Sequence, residues 1–181
     1  MRPRLRFLIL AALLAAITAI CSLLAVPNPL LPSVPFTLQV FAVCLTGVLL
    51  PPGWALAAQA VYLFLGVIGA PVFAGGASGP GVLFTLTGGF LWSYPLAAYA
   101  CAAIAGARPA PLWRLVAAGV AAIAVIYALG FAGMVVFGHL PADAATLLGL
   151  ASFLPWDLVK AVLAALVAVR VRAAVVGGAA A

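Results

Sequence analysis

Asp157 and Lys160 are the pair in this sequence whose types and spacing suit them to chemistry together. They stand in Phe153-Leu154-Pro155-Trp156-Asp157-Leu158-Val159-Lys160, at the start of a long apolar run. On a helix, residues three apart share a face, with Cβ atoms about 5–6 Å apart. A carboxylate and an ammonium so placed offer an acceptor and a donor to a polar ligand. Each charge costs roughly 2.5–3.5 kcal/mol on membrane-insertion scales, so an ionisable residue inside a span is by default a functional-site candidate. The plain alternative is an intrahelical ion pair that only neutralises itself.

Two further groups of residues suit a ligand. Phe73-Ala74-Gly75-Gly76-Ala77-Ser78-Gly79-Pro80-Gly81 is glycine-rich, and Thr87-Gly88-Gly89-Phe90 follows it. Glycines let a backbone approach a ligand closely, but small residues also serve tight helix packing. Phe36, Thr37 and Gln39 follow a proline-rich stretch, and Gln39 suits either a ligand contact or an interhelical hydrogen bond. Gly76-Ala77-Ser78-Gly79 matches the GxSG motif of rhomboid intramembrane proteases. A serine nucleophile needs a base at hydrogen-bonding reach. The one histidine, His139, falls in a different connection, so the match is weak. No metal site is expected: Asp143 and Asp157, the two acids, fall in different environments, and Cys21, Cys44 and Cys101 sit singly in apolar runs. No cofactor is implied, and the absence of a GxxxxGK sequence excludes ATP binding by a P-loop.

The elements that hold these residues follow from composition. Of 181 residues, 69% are hydrophobic and 6% charged, far below the roughly 25% charged of soluble domains. The chain reads as an all-α integral membrane protein. A bilayer core about 30 Å thick needs roughly 20 residues per helix, so the length allows six spans and no separate catalytic domain. Proline and glycine clusters punctuate one membrane domain, 1–181, into spans at about 7–26, 36–50, 54–72, 82–105, 113–137 and 152–171. The net charge of +6 is gathered at Arg2/Arg4/Arg6, Arg108/Arg114 and Arg170/Arg172. That pattern reads as membrane topology, not nucleic-acid binding. Even numbers of spans separate the clusters, which gives an N-in/C-in arrangement by the positive-inside rule. The connections at 27–35, 73–81 and 138–151 then lie outside, and a ligand site opens on that side. The first span carries Ala11, Ala12, Ala15, Ala16 and Ala19, small residues that permit close approach of another helix.

Four stretches together resemble the BioY family, the biotin-specific substrate-binding (S) components of energy-coupling factor (ECF) transporters. They are Ala11 to Thr18 (AALLAAIT), Val34 to Gln39 (VPFTLQ), Gly69 to Gly76 (GAPVFAGG) with Thr87 to Phe90 (TGGF), and Pro155 to Lys160 (PWDLVK). They run from the first span to the last, so the resemblance covers essentially the whole chain. It implies an ECF S-component-like bundle in a bacterial or archaeal cytoplasmic membrane, a binding subunit and not an enzyme. Such a subunit binds biotin with high affinity near the outer face. It delivers the vitamin through a partner transmembrane (T) component driven by two ATPases. The resemblance maps partner docking onto Ala11, Ala12, Ala15 and Ala16. It maps ligand contacts onto Asp157 and Lys160, with Phe36, Thr37, Gln39, Phe73, Gly75, Gly76 and Thr87 to Phe90 around them. The family commonly has TGGY where this chain has TGGF, so Phe90 lacks a hydroxyl; if that hydroxyl contacts ligand in relatives, this chain does without it or substitutes a neighbour such as Ser93 or Tyr94. The alternatives are a stand-alone small-vitamin transporter and, less well matched, the rhomboid-like protease.

Overall fold

The structure, a computed structural model, describes residues 3–31, 34–106 and 110–175. Arg2 and Arg108 of the basic clusters, and positions 32 and 33 of the connection 27–35, lie outside the described residues. Among the described residues seven α-helices follow in order: α1 Pro3–Leu23, α2 Gln39–Leu49, α3 Pro52–Val67, α4 Gly88–Ala105, α5 Leu112–Val136, α6 Ala144–Ala151 and α7 Leu154–Val175. Two short 3-10 turns, Ala74–Gly76 and Pro80–Phe84, lie between α3 and α4. The six longer helices form the bundle, and α6 is a short addition at its edge. Arg4–Leu23, Leu112–Val136 and Thr146–Arg172 are long and apolar enough to cross a membrane.

α2 is the axis. It touches α1, α3, α4, α5 and α7, and every one of its eleven residues except Phe41 is buried. At 1.5 Å per residue it rises only about 16 Å. Close approach to it depends on small side chains. A Cβ on Gly47 would stand 2.4 Å from Cys101 Cβ of α4. The same device joins α4 to α5, where a Cβ on Gly89 would meet the Leu129 carbonyl oxygen at 2.3 Å and Gly133 Cα at 2.7 Å. α5 and α7 meet at Gly119 and Ala161. Large apolar side chains point outward instead, among them Leu8, Ile9 and Leu13 of α1, and Val162, Leu163 and Leu166 of α7. That inversion of a soluble core fits a hydrocarbon solvent, in which close backbone approach, rather than exclusion of water, joins helices.

Several buried polar side chains tie helices together. Gln59 of α3 donates through Nε2 to Thr18 of α1 and Thr46 of α2, each at 3.0 Å. At the far end of the bundle Arg172 of α7 donates to the carbonyls of Val48 and Gly106, where α2 and α4 end.

Several boundaries differ from the sequence reading: α1 runs over Pro3–Leu23 where 7–26 is expected, and α3 ends at Val67 where 72 is expected. Three further differences bear on the site. α2 begins at Gln39, not at 36, because Phe36 pairs in extended conformation with Val26; each amide donates to the other's carbonyl, at 2.9 and 2.8 Å. α4 begins at Gly88, not at 82. Pro80–Phe84 is a 3-10 turn that ends in extended backbone at Thr85, and Gly88 packs directly on the Leu83 carbonyl. The connection 138–151 contains α6, whose first turn is capped by Asp143 Oδ1 accepting from the Thr146 amide at 2.9 Å. That cap fills one of the orphan N–H groups every helix start leaves.

Candidate functional site

One cavity lies at the end of the bundle where α2, α4 and α7 begin. Its wall takes Thr37, Gln39 and Val40 from the start of α2, and Thr87, Phe90, Leu91 and Tyr94 from the start of α4. Ile126 and Tyr127 come from α5, Asp157 and Lys160 from α7, and Phe73, Ala74 and Ala77 from the connection after α3. Val34, Pro35, Val82 and Phe153 complete it. The centre of a water-sized sphere has ≈ 100 Å³ in which to move there, several times what one water needs. The lining is apolar and aromatic with a few converging polar groups, the usual composition of a small-molecule site.

The polar groups form two clusters. In the first, Lys160 Nζ donates to Asp157 Oδ1 at 2.7 Å across the three-residue spacing. The Tyr127 hydroxyl donates to Asp157 Oδ2 at 2.9 Å from α5. Asp157 is 2% exposed and Lys160 9%, so an isolated charge would be costly at either position. Paired, they leave donor capacity on Lys160 and acceptor lone pairs on Asp157 and Tyr127 facing the cavity. In the second cluster, Gln39 Nε2 donates to the Tyr62 hydroxyl at 2.7 Å. Gln39 Oε1 accepts from Thr37 Oγ1 at 3.0 Å and from the Tyr94 hydroxyl at 3.3 Å. The Gln39 backbone amide in turn donates to Thr37 Oγ1 at 3.3 Å, a local turn that leads into α2.

Of the residues singled out from sequence, Asp157, Lys160, Gln39, Thr37, Phe73, Thr87 and Phe90 come together on this wall. Phe36 does not. Its ring lies 4.6 Å from that of Phe153, and it lines a neighbouring open groove with Leu24, Val26, Pro27, Leu38, Trp156, Thr37 and Lys160. Gly88 and Gly89 are also off the wall, held in helix contacts with Leu83 and with α5. Gly75 and Gly76 have φ of 68° and 80° and open space where a side chain would be. Their role is to turn the chain after Phe73. The alanines of α1 divide: Ala11 and Ala15 are buried in the bundle, whereas Ala12 and Ala16 are exposed. Ser78 and His139 are exposed, and neither lines the cavity.

The structure adds Tyr127 to the polar wall, and of the two hydroxyls considered beside Phe90 it brings Tyr94 there. Tyr127 is the one hydroxyl-bearing residue in α5, which is the signal the sequence carried for it. Tyr94, one helical turn from Phe90, lines the wall. Ser93 does not, since its hydroxyl donates back to the Phe90 carbonyl and it is absent from the wall.

Comparison with known proteins gives a consistent result. A family model described as the BioY family matches residues 1–177. The chain is similar to the biotin transporter BioY of Thermotoga maritima, 37% identical over 167 residues, covering 92% of this chain and 96% of that relative. It is likewise similar to the probable biotin transporter BioY of Bacillus subtilis, 36% identical over 166 residues and 89% of each chain. Among solved structures, the S-component for biotin from an ECF-type ABC transporter superposes with a TM-score of 0.85. That match covers 93% of this chain and 92% of that one at 21% identity, and it shows the shared fold.

Proposed function

The chain belongs to the BioY family, and on that premise we propose that it is a biotin-capture subunit of the cytoplasmic membrane, a binding protein for transport and not an enzyme. The observation that carries this reading is the Asp157–Lys160–Tyr127 cluster on the wall of an otherwise apolar and aromatic cavity. Biotin has matching chemistry. Its ureido group carries two N–H donors and one acceptor oxygen, its thiophane ring is apolar, and its valerate ends in a carboxylate. Asp157 accepts from an N–H, and Lys160 donates to an oxygen. Phe73, Phe90 and Leu91 pack on the ring. In a water-excluded pocket such contacts are stronger than in water.

The same reading gives the partners and the orientation. Delivery runs through an ECF T component and two ATPases, for which the exposed Ala12 and Ala16 of α1 supply a smooth docking face. The termini face the cytoplasm, and the cavity opens outward.

Calorimetry of the purified chain in detergent tests the ligand directly. Biotin is expected to bind tightly at one site, and thiamine not at all. Asp157→Asn and Lys160→Ala are each expected to weaken biotin binding by roughly 1–3 kcal/mol, the range for losing a buried hydrogen bond to a charged group. Affinity unchanged in both variants would remove the cluster from the site.

A further inference from the structure

Two aromatic side chains of the cavity wall are seated on glycines that do not line the cavity themselves. Gly66, in the last turn of α3, lies under the ring of Phe73. A Cβ there would stand 2.6 Å from Cε2 and closer still to Cζ and Cε1. Gly130 of α5 lies under Phe90 in the same way, 2.6 Å from Cδ1, 2.7 Å from Cζ and closer still to Cε1. Neither glycine has a positive φ that would call for the residue. Both stand inside regular α-helix, where glycine costs about 1 kcal/mol relative to alanine. Close helix approach does not account for them either. At Gly89 and Gly133 the obstacle to a side chain is the backbone of the neighbouring helix, whereas at Gly66 and Gly130 the nearest atoms are the far ends of the two rings.

The rings are hemmed in on their other sides. The Phe73 amide donates to the Ala77 carbonyl at 3.0 Å, and its carbonyl accepts from the Gly76 amide at 2.9 Å. The Gly79 amide donates to the Gly66 carbonyl itself at 2.7 Å, which ties this turn to the end of α3. Tyr62 stands edge-on to the Phe73 ring, with centroids 5.8 Å apart, and Phe73 is 1% exposed. Phe90 follows Gly89, whose contact with Gly133 holds the start of α4 against α5. The space left beside each ring is the cavity that both line. A methyl group under either ring drives it there, by roughly an ångström or more before ordinary carbon contact is restored.

We infer that Gly66 and Gly130 are positioning residues that determine specificity: each lets one aromatic ring withdraw from the cavity, and together they set its width for a fused pair of rings. The inference rests on the reading of the cavity as a biotin site and states what in that site admits the bicyclic head. Desthiobiotin is the discriminating probe. It keeps the ureido ring and the carboxylate, but it lacks the sulfur, so the second ring is open and the head is slimmer.

Binding of biotin and desthiobiotin is measured by calorimetry on the full chain in detergent, for the wild type, Gly66→Ala, Phe73→Leu and the double variant. Gly66→Ala is expected to bind biotin about tenfold more weakly or worse, as for a modest overpacking, and to lose less affinity for desthiobiotin. On the Phe73→Leu background Gly66→Ala is expected to cost nothing further, because leucine stops short of the colliding ring atoms. Wild-type biotin affinity in Gly66→Ala, equal losses for the two ligands, or additive losses in the double variant each overturn the inference. Should Gly66→Ala fail to fold, Gly130→Ala is read in its place against Phe90→Val, with the same expectations. Failure of both glycine variants to fold, with and without the shortened side chain, makes them packing positions and overturns the inference as well. Absence of biotin binding by the wild type is a different result, and it defeats the proposed function itself.

Discussion

Asp157 carries a different donor on each oxygen, Lys160 from its own helix and Tyr127 from α5. The first contact is local and follows from helical geometry, which is why the pair could be named from sequence alone. The second depends on how α5 crosses α7, and no spacing in the chain encodes it. The same holds for Tyr62, which sits 23 residues from Gln39 in sequence yet bonds its side chain. Residues that line the cavity with charge or an amide were legible from their type in an apolar setting; the hydroxyls that hold them in place were not. Tyr127→Phe keeps the ring and removes only the hydroxyl. We expect it to weaken biotin binding by about tenfold without lowering the unfolding temperature in detergent by more than a few degrees. A fall in stability with binding intact would make the hydroxyl a packing device.

The helices were legible to the extent that proline and glycine interrupt hydropathy. All six long ones were found that way, and their ends moved by a few residues. The start of α4 was not, because Val82-Leu83-Phe84 continues the apolar pattern although the backbone there is a 3-10 turn. Hydropathy scores side chains and cannot tell one helical winding from another. α6 was hidden for the opposite reason: eight residues are too few for a periodic signal, and its start is set by the Asp143 cap. Where two glycines face each other, at Gly89 and Gly133, α4 and α5 come closer than any side chain permits. Gly133→Leu should therefore separate these helices and displace Phe90 and Tyr127 from the cavity together. The expected outcome is a cost of several kcal/mol, above the ~1–3 kcal/mol of ordinary overpacking, read as a lowered unfolding temperature with loss of biotin binding. Gly53, with nothing near its open side, is the control: Gly53→Ala is expected to change neither.

For the molecule as a whole, the division of the α1 alanines makes a test of partner docking possible. Ala12→Trp alters only the outer face, so it should spare biotin binding in detergent and reduce uptake in cells that supply the partner module. Ala15→Trp pushes into the buried side and should lower stability before it affects anything else. If both variants merely unfold, the outer face is packing and not docking. The Asp157–Lys160 pair has one more consequence at this scale. One negative and one positive group cancel, so the compartment that holds the cargo is electrically balanced before loading. Biotin with an ionised valerate then brings in one uncompensated negative charge. Moving that charge inward against a potential that is negative inside costs about 2.3 kcal/mol per 100 mV. A resting cell thus opposes this import by a factor of roughly fifty per 100 mV before any concentration gradient is counted. The loaded protein cannot supply that work by binding alone, however tightly it holds its cargo.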